Sequence, residues 1–169
     1  MQVRPIEESD AERFLHLLGQ LDAESKNMLF EPGERPVDLA RQRERIRAMA
    51  GASPERVLVA DAGERLVGFL GVRAGEFARN RHVASLVVGV LQAAQRRGVG
   101  TGLLAAALAW ADARGAARVE LTVRTDNHPA VALYLRQGFV VEGLRRASLR
   151  VDGRLVDEYH MARVALEAR

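Results

Sequence analysis

An apolar run, Val83–Leu91, passes straight into a polar, basic, glycine-bearing stretch, Gln92–Gly102, and then into a helical face made by Leu103, Leu104, Ala107, Leu108 and Ala111. Few folds accept that order. The run is too short to cross a membrane, which takes roughly 18 residues or more, and its composition suits a buried strand. A strand therefore feeds a helix through a turn carrying Gly98, Gly100 and Gly102. The start of a helix leaves backbone N–H groups without partners and carries partial positive charge. Glycines let such a backbone approach a phosphate closely, and Arg96 and Arg97 add charge beside it. These physics predict a diphosphate site over Gln95–Thr101.

The remaining segments alternate between strand and helix patterns. Val3–Ile6 reads as a first strand. Ser9, Asp10, Ala11 and Glu12 fit a capping box, and Phe14, Leu15, Leu17, Leu18 and Leu21 form the apolar face of the helix that follows. Asn27–Pro36, with Pro32, Gly33 and Pro36, reads as a loop, and Val37–Ala50 as a polar surface helix. Val57–Ala60 and Leu66–Val72 make a hairpin around Asp61–Glu64. Gly115 is placed to stop the helix after the glycine turn, and Val119–Val123 is the next strand. Asn127 is placed to cap another helix with Pro129 in its first turn, and Gly138 ends it. Phe139–Glu142 starts a further strand. Asp152-Gly153 signals a type I′ turn between Ser148–Val151 and Arg154–Ala162. The order β-α-α-β-β-β-α-β-α-β-β defines a mixed α/β sheet with helices on its faces.

Composition narrows the chemistry. The 169 residues suit one domain, 1–169, with a core of its own. There is no cysteine, which removes disulfides, thiolate catalysis and cysteine-ligated zinc. The polar, acidic start lacks a signal-peptide pattern, and a cytoplasmic location is expected. Lys26 is the only lysine, so a formal charge of +3 and a pI near 10.1 rest on arginine. That balance fits an anionic partner, yet +3 does not by itself argue for nucleic acid. His82, His128 and His160 show no metal-ligand spacing, and no metal is expected.

The glycine turn separates three patterns. A P-loop requires a lysine that is absent here. A dinucleotide fingerprint starts at Gly98-Val99-Gly100, but Leu103 stands where its third glycine belongs, although Glu120 lies at a suitable distance downstream. The acyl-CoA pattern [Q/R]-x-x-G-x-[G/A] is met at every position by Gln95-Arg96-Arg97-Gly98-Val99-Gly100. A second stretch, Asn127-His128-Pro129-Ala130-Val131-Ala132-Leu133-Tyr134-Leu135-Arg136-Gln137-Gly138-Phe139, is similar to N-x-x-A-x-x-L-Y-x-x-x-G-F. With both, the chain resembles the GNAT superfamily of N-acetyltransferases over about Val57–Arg163. The closing hairpin is similar to the ribosomal-protein N-terminal and polyamine acetyltransferase branch.

That resemblance implies a splayed, mixed, mostly antiparallel sheet of about seven strands with about four helices. It implies acetyl-CoA as acyl donor, held by Gln95, Arg96, Arg97, Gly98, Val99, Gly100 and Thr101, with Val88 and Val90 pairing with the pantetheine arm. It implies that Asn127 contacts the same ligand, although Asn127 equally reads as a helix cap. It implies that Tyr134 points its hydroxyl at the thioester sulfur as the catalytic group, although a tyrosine on such a helix also reads as core. The acceptor is a small-molecule primary amine or a peptide N-terminus, with Glu31, in the loop Met28–Arg35, and Tyr159 as candidate contacts. Many members of the superfamily carry a glutamate on the fourth strand as base. Ala84–Val90 has no carboxylate, so the base here lies elsewhere, with Glu31, Glu34, Glu76, Asp157 and Glu158 as candidates, or water relays the proton. A homodimer stays open, as do a non-catalytic acyl-CoA-binding module and an enzyme acting on aminoacyl-tRNA.

Overall fold

The computed structural model describes residues 1–51 and 53–165. Strands β1 (Gln2–Pro5), β2 (Glu55–Asp61), β3 (Leu66–Ala74), β4 (Val83–Val90), β5 (Arg118–Arg124), β6 (Val140–Val151) and β7 (Arg154–Val164) form one sheet in the order β1-β2-β3-β4-β5-β7-β6. The helices are α1 (Ala11–Glu24), α2 (Leu39–Ala48), α3 (Val99–Ala113) and α4 (His128–Arg136). The expected element order holds. The chain divides into two compact units, one of Met1–Arg73 with Val87–Trp110, the other of Ala74–Leu86 with the chain from Ala111 onward.

In the first unit β1, β2 and β3 pair antiparallel, with Val3 opposite Ala60 and Val59 opposite Phe69. β2 and β3 read as continuous apolar runs because both faces are covered. On one face Phe69 meets Phe14 of α1 edge-on at 5.5 Å. On the other, a side chain at Gly68 would touch Leu103 of α3; neighbouring strand residues point to opposite faces. Phe14, Leu17, Leu18 and Leu21 are buried as the helical spacing predicts, along with Leu103, Leu104 and Ala107. Truncating a ring such as that of Phe14 costs about 3–5 kcal/mol in cores of this kind.

The start of α1 differs from the sequence reading. The cap is built one step earlier, where a 3-10 turn over Glu8–Asp10 precedes the helix and the Asp10 carboxylate accepts the Glu7 N–H at 2.9 Å. Asp10 is taken because Arg4 binds it through two nitrogens, at 2.6 and 2.8 Å, and also reaches Asp61. The long-range pair outranks the local Ser9 and Glu12 pattern. α2 is shorter than Val37–Ala50 and buries little beyond Ile46.

In the second unit β4 and β5 run parallel but pair only from Val83 opposite Arg118 to Ser85 opposite Glu120. β5 pairs antiparallel with β7, and β7 with β6. The strand expected to start at Phe139–Glu142 runs on as β6 to the hairpin arm expected at Ser148–Val151, with register shifts between, and Ala147 sits at φ 52° in one of them. Asp152 and Gly153 both have positive φ, 49° and 76°, as a type I′ turn requires. Asn127 caps α4 by accepting the Ala130 N–H at 3.3 Å.

Candidate active site

β4 offers an unpaired edge. The Leu91 N–H donates to the Val67 carbonyl of β3 at 3.0 Å. N–H and C=O alternate sides along a strand, so odd-numbered residues of β4 direct their polar groups to β3 and Val88 and Val90 direct theirs away. On that far side the His82 carbonyl accepts the Arg118 N–H of β5 at 3.0 Å, and the strand pairing ends at Ser85. The backbone groups of Val88 and Val90 thus lie beyond the last paired residue. The Val90 carbonyl is an exception, because the Gln95 side-chain amide donates to it at 3.0 Å.

After β4 a single 3-10 turn, Gln92–Ala94, leads to the glycine loop. Arg96 and Gly98 adopt left-handed φ of 58° and 80°. Glycine takes this conformation freely, whereas for Arg96 it costs about 1 kcal/mol or more. The first intrahelical bond of α3 runs from the Gly102 N–H to the Gly98 carbonyl at 2.9 Å. The N–H groups of Gly98, Val99, Gly100 and Thr101 therefore have no acceptor within the helix. Arg96 and Arg97 are exposed beside them, and no carboxylate occurs from Leu91 to Gly102. Gln92 braces the turn against the end of α1: its N–H reaches the Glu24 carboxylate at 2.5 Å and its amide the Glu24 carbonyl at 2.8 Å. A cavity of about 360 Å³ opens nearby, lined by Glu24, Val67, Leu91, Ala94, Arg97 and Val99 among others. Neither Val88 nor Val90 lines it, so it is distinct from the open edge of β4.

The missing base on β4 has a steric side. A Cβ at Gly89 would lie 2.8 Å from Leu21 Cδ1 and 2.9 Å from Phe69 Cε1, with Met28 Sδ at 3.4 Å. No carboxylate side chain fits that position without moving the core.

Met28 belongs to loop 25–38, which contains Glu31. Glu31 is exposed; its N–H is held by the Glu34 carboxylate at 2.8 Å and its carbonyl accepts the Glu34 N–H at 3.1 Å. The loop is fastened by Arg35, which grips Asp22 of α1 through Nε at 2.5 Å and Nη2 at 2.8 Å and lies 4.4 Å from the centre of the Phe30 ring. Asp22 is buried. Sequence reasoning passed over this pair, although one signal existed: Asp22 follows Phe14 and Leu18 at four-residue steps, so a carboxylate stands on the apolar stripe of α1 and needs a buried partner.

Tyr134, Asn127 and Tyr159 fall in the second unit. Tyr134 is buried against Phe139, with ring centres 5.8 Å apart, and burial alone pushes its phenol pKa well above the ordinary value near 10. The group stays protonated at neutral pH. The Asn127 carbonyl oxygen is used in the cap of α4. Tyr159 is half-buried on β7, opposite Val123 on one side and Leu144 on the other. His160, its neighbour, stands 3.6 Å from Glu120 and 4.0 Å from Glu142, both of which also bind Arg118. Among the described residues no group of three or more His, Asp or Glu side chains is arranged to hold a metal ion, and no helix is long and apolar enough to cross a membrane.

The chain matches the acetyltransferase (GNAT) family over residues 20–139. It is 43% identical over 117 residues to N-alpha-acetyltransferase RimI of Mycobacterium tuberculosis, covering 66% of this chain and 68% of that protein. It is 35% identical over 108 residues to L-amino acid N-acetyltransferase AaaT of Escherichia coli, covering 63% and 67%. The fold superposes on an acetyltransferase of the GNAT family from Streptococcus pneumoniae with a TM-score of 0.91 at 26% identity, over 96% of this chain and 98% of that one. The chain belongs to the acetyltransferase (GNAT) family and is an N-acetyltransferase.

Proposed function

We propose that the protein transfers an acetyl group from acetyl-CoA to a primary amine, on a small molecule or at a protein N-terminus, by direct attack of the amine on the thioester. The observation that carries this reading is the conjunction in the first unit of an open strand edge at Val88–Val90 with a cluster of unpaired N–H groups at Gly98–Thr101. The two features together suit a ligand with an amide-bearing arm and a diphosphate. The arm adds to β4 as a strand would, and the helix start and its arginines hold the anion.

Three tasks remain in acyl transfer. The carbonyl oxygen gains charge and needs a donor, which a backbone N–H of the open β4 edge supplies. The leaving sulfur needs a proton or a hydrogen bond, and Tyr134 is assigned that task; burial keeps its phenol protonated and so able to donate. The amine must shed its own proton first, since an alkyl ammonium has a pKa near 10. β4 carries no carboxylate, and Gly89 has no room for one, so this proton goes to a carboxylate of the acceptor side or to water. Glu31 and Tyr159 are assigned to the acceptor, and Asn127 to the donor.

The family relatives support the amine class: one is named for L-amino acids, the other for alpha-amino groups. Calorimetric titration with acetyl-CoA, followed by a thiol-release assay across amino acids, polyamines and peptides with free N-termini, tests the proposal. Saturable binding and thiol release with one amine class are expected. A protein that binds no acetyl-CoA overturns it.

A further inference from the structure

The pattern position occupied by Gln95 admits glutamine or arginine, and both carry an N–H donor on a flexible side chain. The structure shows what that donor does here. Gln95 Nε2 reaches back to the Val90 carbonyl at 3.0 Å. Val90 is the last residue of β4, and its carbonyl is one of the groups that the strand geometry directs to the open edge. We propose that Gln95 is a positioning residue: it ties off the Val90 carbonyl, so that at the end of the open edge Val88 presents its N–H and carbonyl and Val90 its N–H alone.

Two consequences follow from the chemistry of such an edge. An amide-bearing arm laid along β4 finds acceptor Val88 and donor Val90 in one register. A free Val90 carbonyl would offer a second acceptor two residues on, and so a competing position for the N–H of the arm. The same bond joins the strand end to the glycine loop. Gln95 directly precedes Arg96, whose left-handed φ of 58° needs support from outside its own preference. Gln95 thus fixes the start of the loop relative to the edge, while Gln92 fixes the preceding turn to Glu24 of α1. In this reading the Gln95 side chain does not itself touch the ligand, in contrast to its expected role as a direct cofactor contact.

The inference rests on the proposal that β4 and the glycine loop receive acetyl-CoA. The test compares Gln95→Met, which keeps length without a donor, with Gln95→Arg, which keeps a donor. Acetyl-CoA affinity is measured by calorimetry, and the melting temperature of each ligand-free protein is recorded. Loss of one hydrogen bond that organises a site is expected to weaken acetyl-CoA binding about 5–20-fold in Gln95→Met, with the melting temperature nearly unchanged because the bond is solvent-exposed. Gln95→Arg is expected to bind within about threefold of the parent. Parent-like affinity in Gln95→Met overturns the role. Equal weakening in both variants overturns it too, since the amide would then be needed for itself and not as a donor to Val90. Failure of the parent protein to bind acetyl-CoA removes the proposed function together with this inference, whereas the two variant outcomes strike the inference alone.

Discussion

The glycine loop and loop 25–38 lie in the same unit and are held in opposite ways. From Gln95 on, the glycine loop is organised within one stretch of sequence, Gln95 onto Val90, Gly102 onto Gly98, Arg96 and Gly98 turned left-handed, with the turn before it braced by Gln92 on Glu24. Loop 25–38 has no regular structure and is tied to α1 by a side-chain pair distant in sequence, Arg35 on Asp22. It also leaves Leu29 and Val37 more than 70% exposed. The first construction suits a ligand part that never varies, because backbone N–H groups recognise a diphosphate whatever the side chains are. The second suits an acceptor, because side chains can change while one clamp keeps the loop in place.

The harshest way to break that contrast is Gly98→Glu. The position is sterically open, since nothing lies within 4 Å of an added Cβ, but its φ of 80° strains any side chain. The larger effect is electrostatic: a carboxylate stands where a diphosphate is proposed to bind. Acetyl-CoA affinity should fall roughly 100-fold or more, while the added strain costs only about 1–2 kcal/mol of stability. Titration calorimetry on a folded variant decides it, and undiminished affinity would falsify the diphosphate assignment.

Tyr134→Phe separates binding from chemistry. The ring keeps its place against Phe139, so acetyl-CoA affinity and melting temperature should stay close to those of the parent. kcat should drop roughly 100-fold or more if proton donation to sulfur is lost. Tyr134 also has a pH signature. Its folded pKa is raised, so the folded protein loses stability relative to the unfolded chain only above about pH 10, where the unfolded phenol ionises. An unchanged kcat in the variant returns Tyr134 to the core.

Arg35→Ala attacks the other construction. It leaves the Asp22 carboxylate buried without its partner, which costs about 2–3 kcal/mol after allowing for the partly exposed arginine. In a chain of this size that is a fall of about 4–10 °C in melting temperature. The amine KM should rise about tenfold while acetyl-CoA affinity moves less than about twofold. Equal damage to both affinities would show that the two loops are one mechanical unit and erase the contrast.

How much of this was legible in the sequence follows the same division. The donor side was readable because its determinants are local: glycine spacing, an apolar run, arginines in between. The resemblance implies Val88 and Val90, and on β4 even-numbered residues direct their polar groups away from β3. What escaped notice depends on pairs distant in sequence. Asp10 is fixed by Arg4 as it caps at Glu7, Glu24 is bound to Gln92, and Asp22 is held by Arg35. The middle of β6, between Glu142 and Ser148, is not legible as strand because its bulges break the alternation on which strand recognition rests.

Glu31→Gln is the mildest test and bears on the part of the site that sequence left least defined. The Glu31 backbone is fixed by Glu34 in a tight turn, so the substitution leaves the loop in place. Its side chain is exposed, and no stability is expected to depend on it. An exposed carboxylate attracts an ammonium by about 1 kcal/mol or less in water. If Glu31 only gathers the acceptor, the amine KM rises about two- to fivefold, kcat holds, and the effect fades as salt is added. If it also takes the amine's proton, kcat falls as well, and it recovers at higher pH, where the free amine is already present without help. Acetyl-CoA affinity should not move in either case. Measuring KM and kcat for the amine at pH 7 and pH 9.5, each at low and high salt, separates the two roles. Parent-like values in all four conditions would take Glu31 out of the site and leave the loop's contribution to Met28, whose sulfur already packs at Gly89 on the strand that carries the open edge.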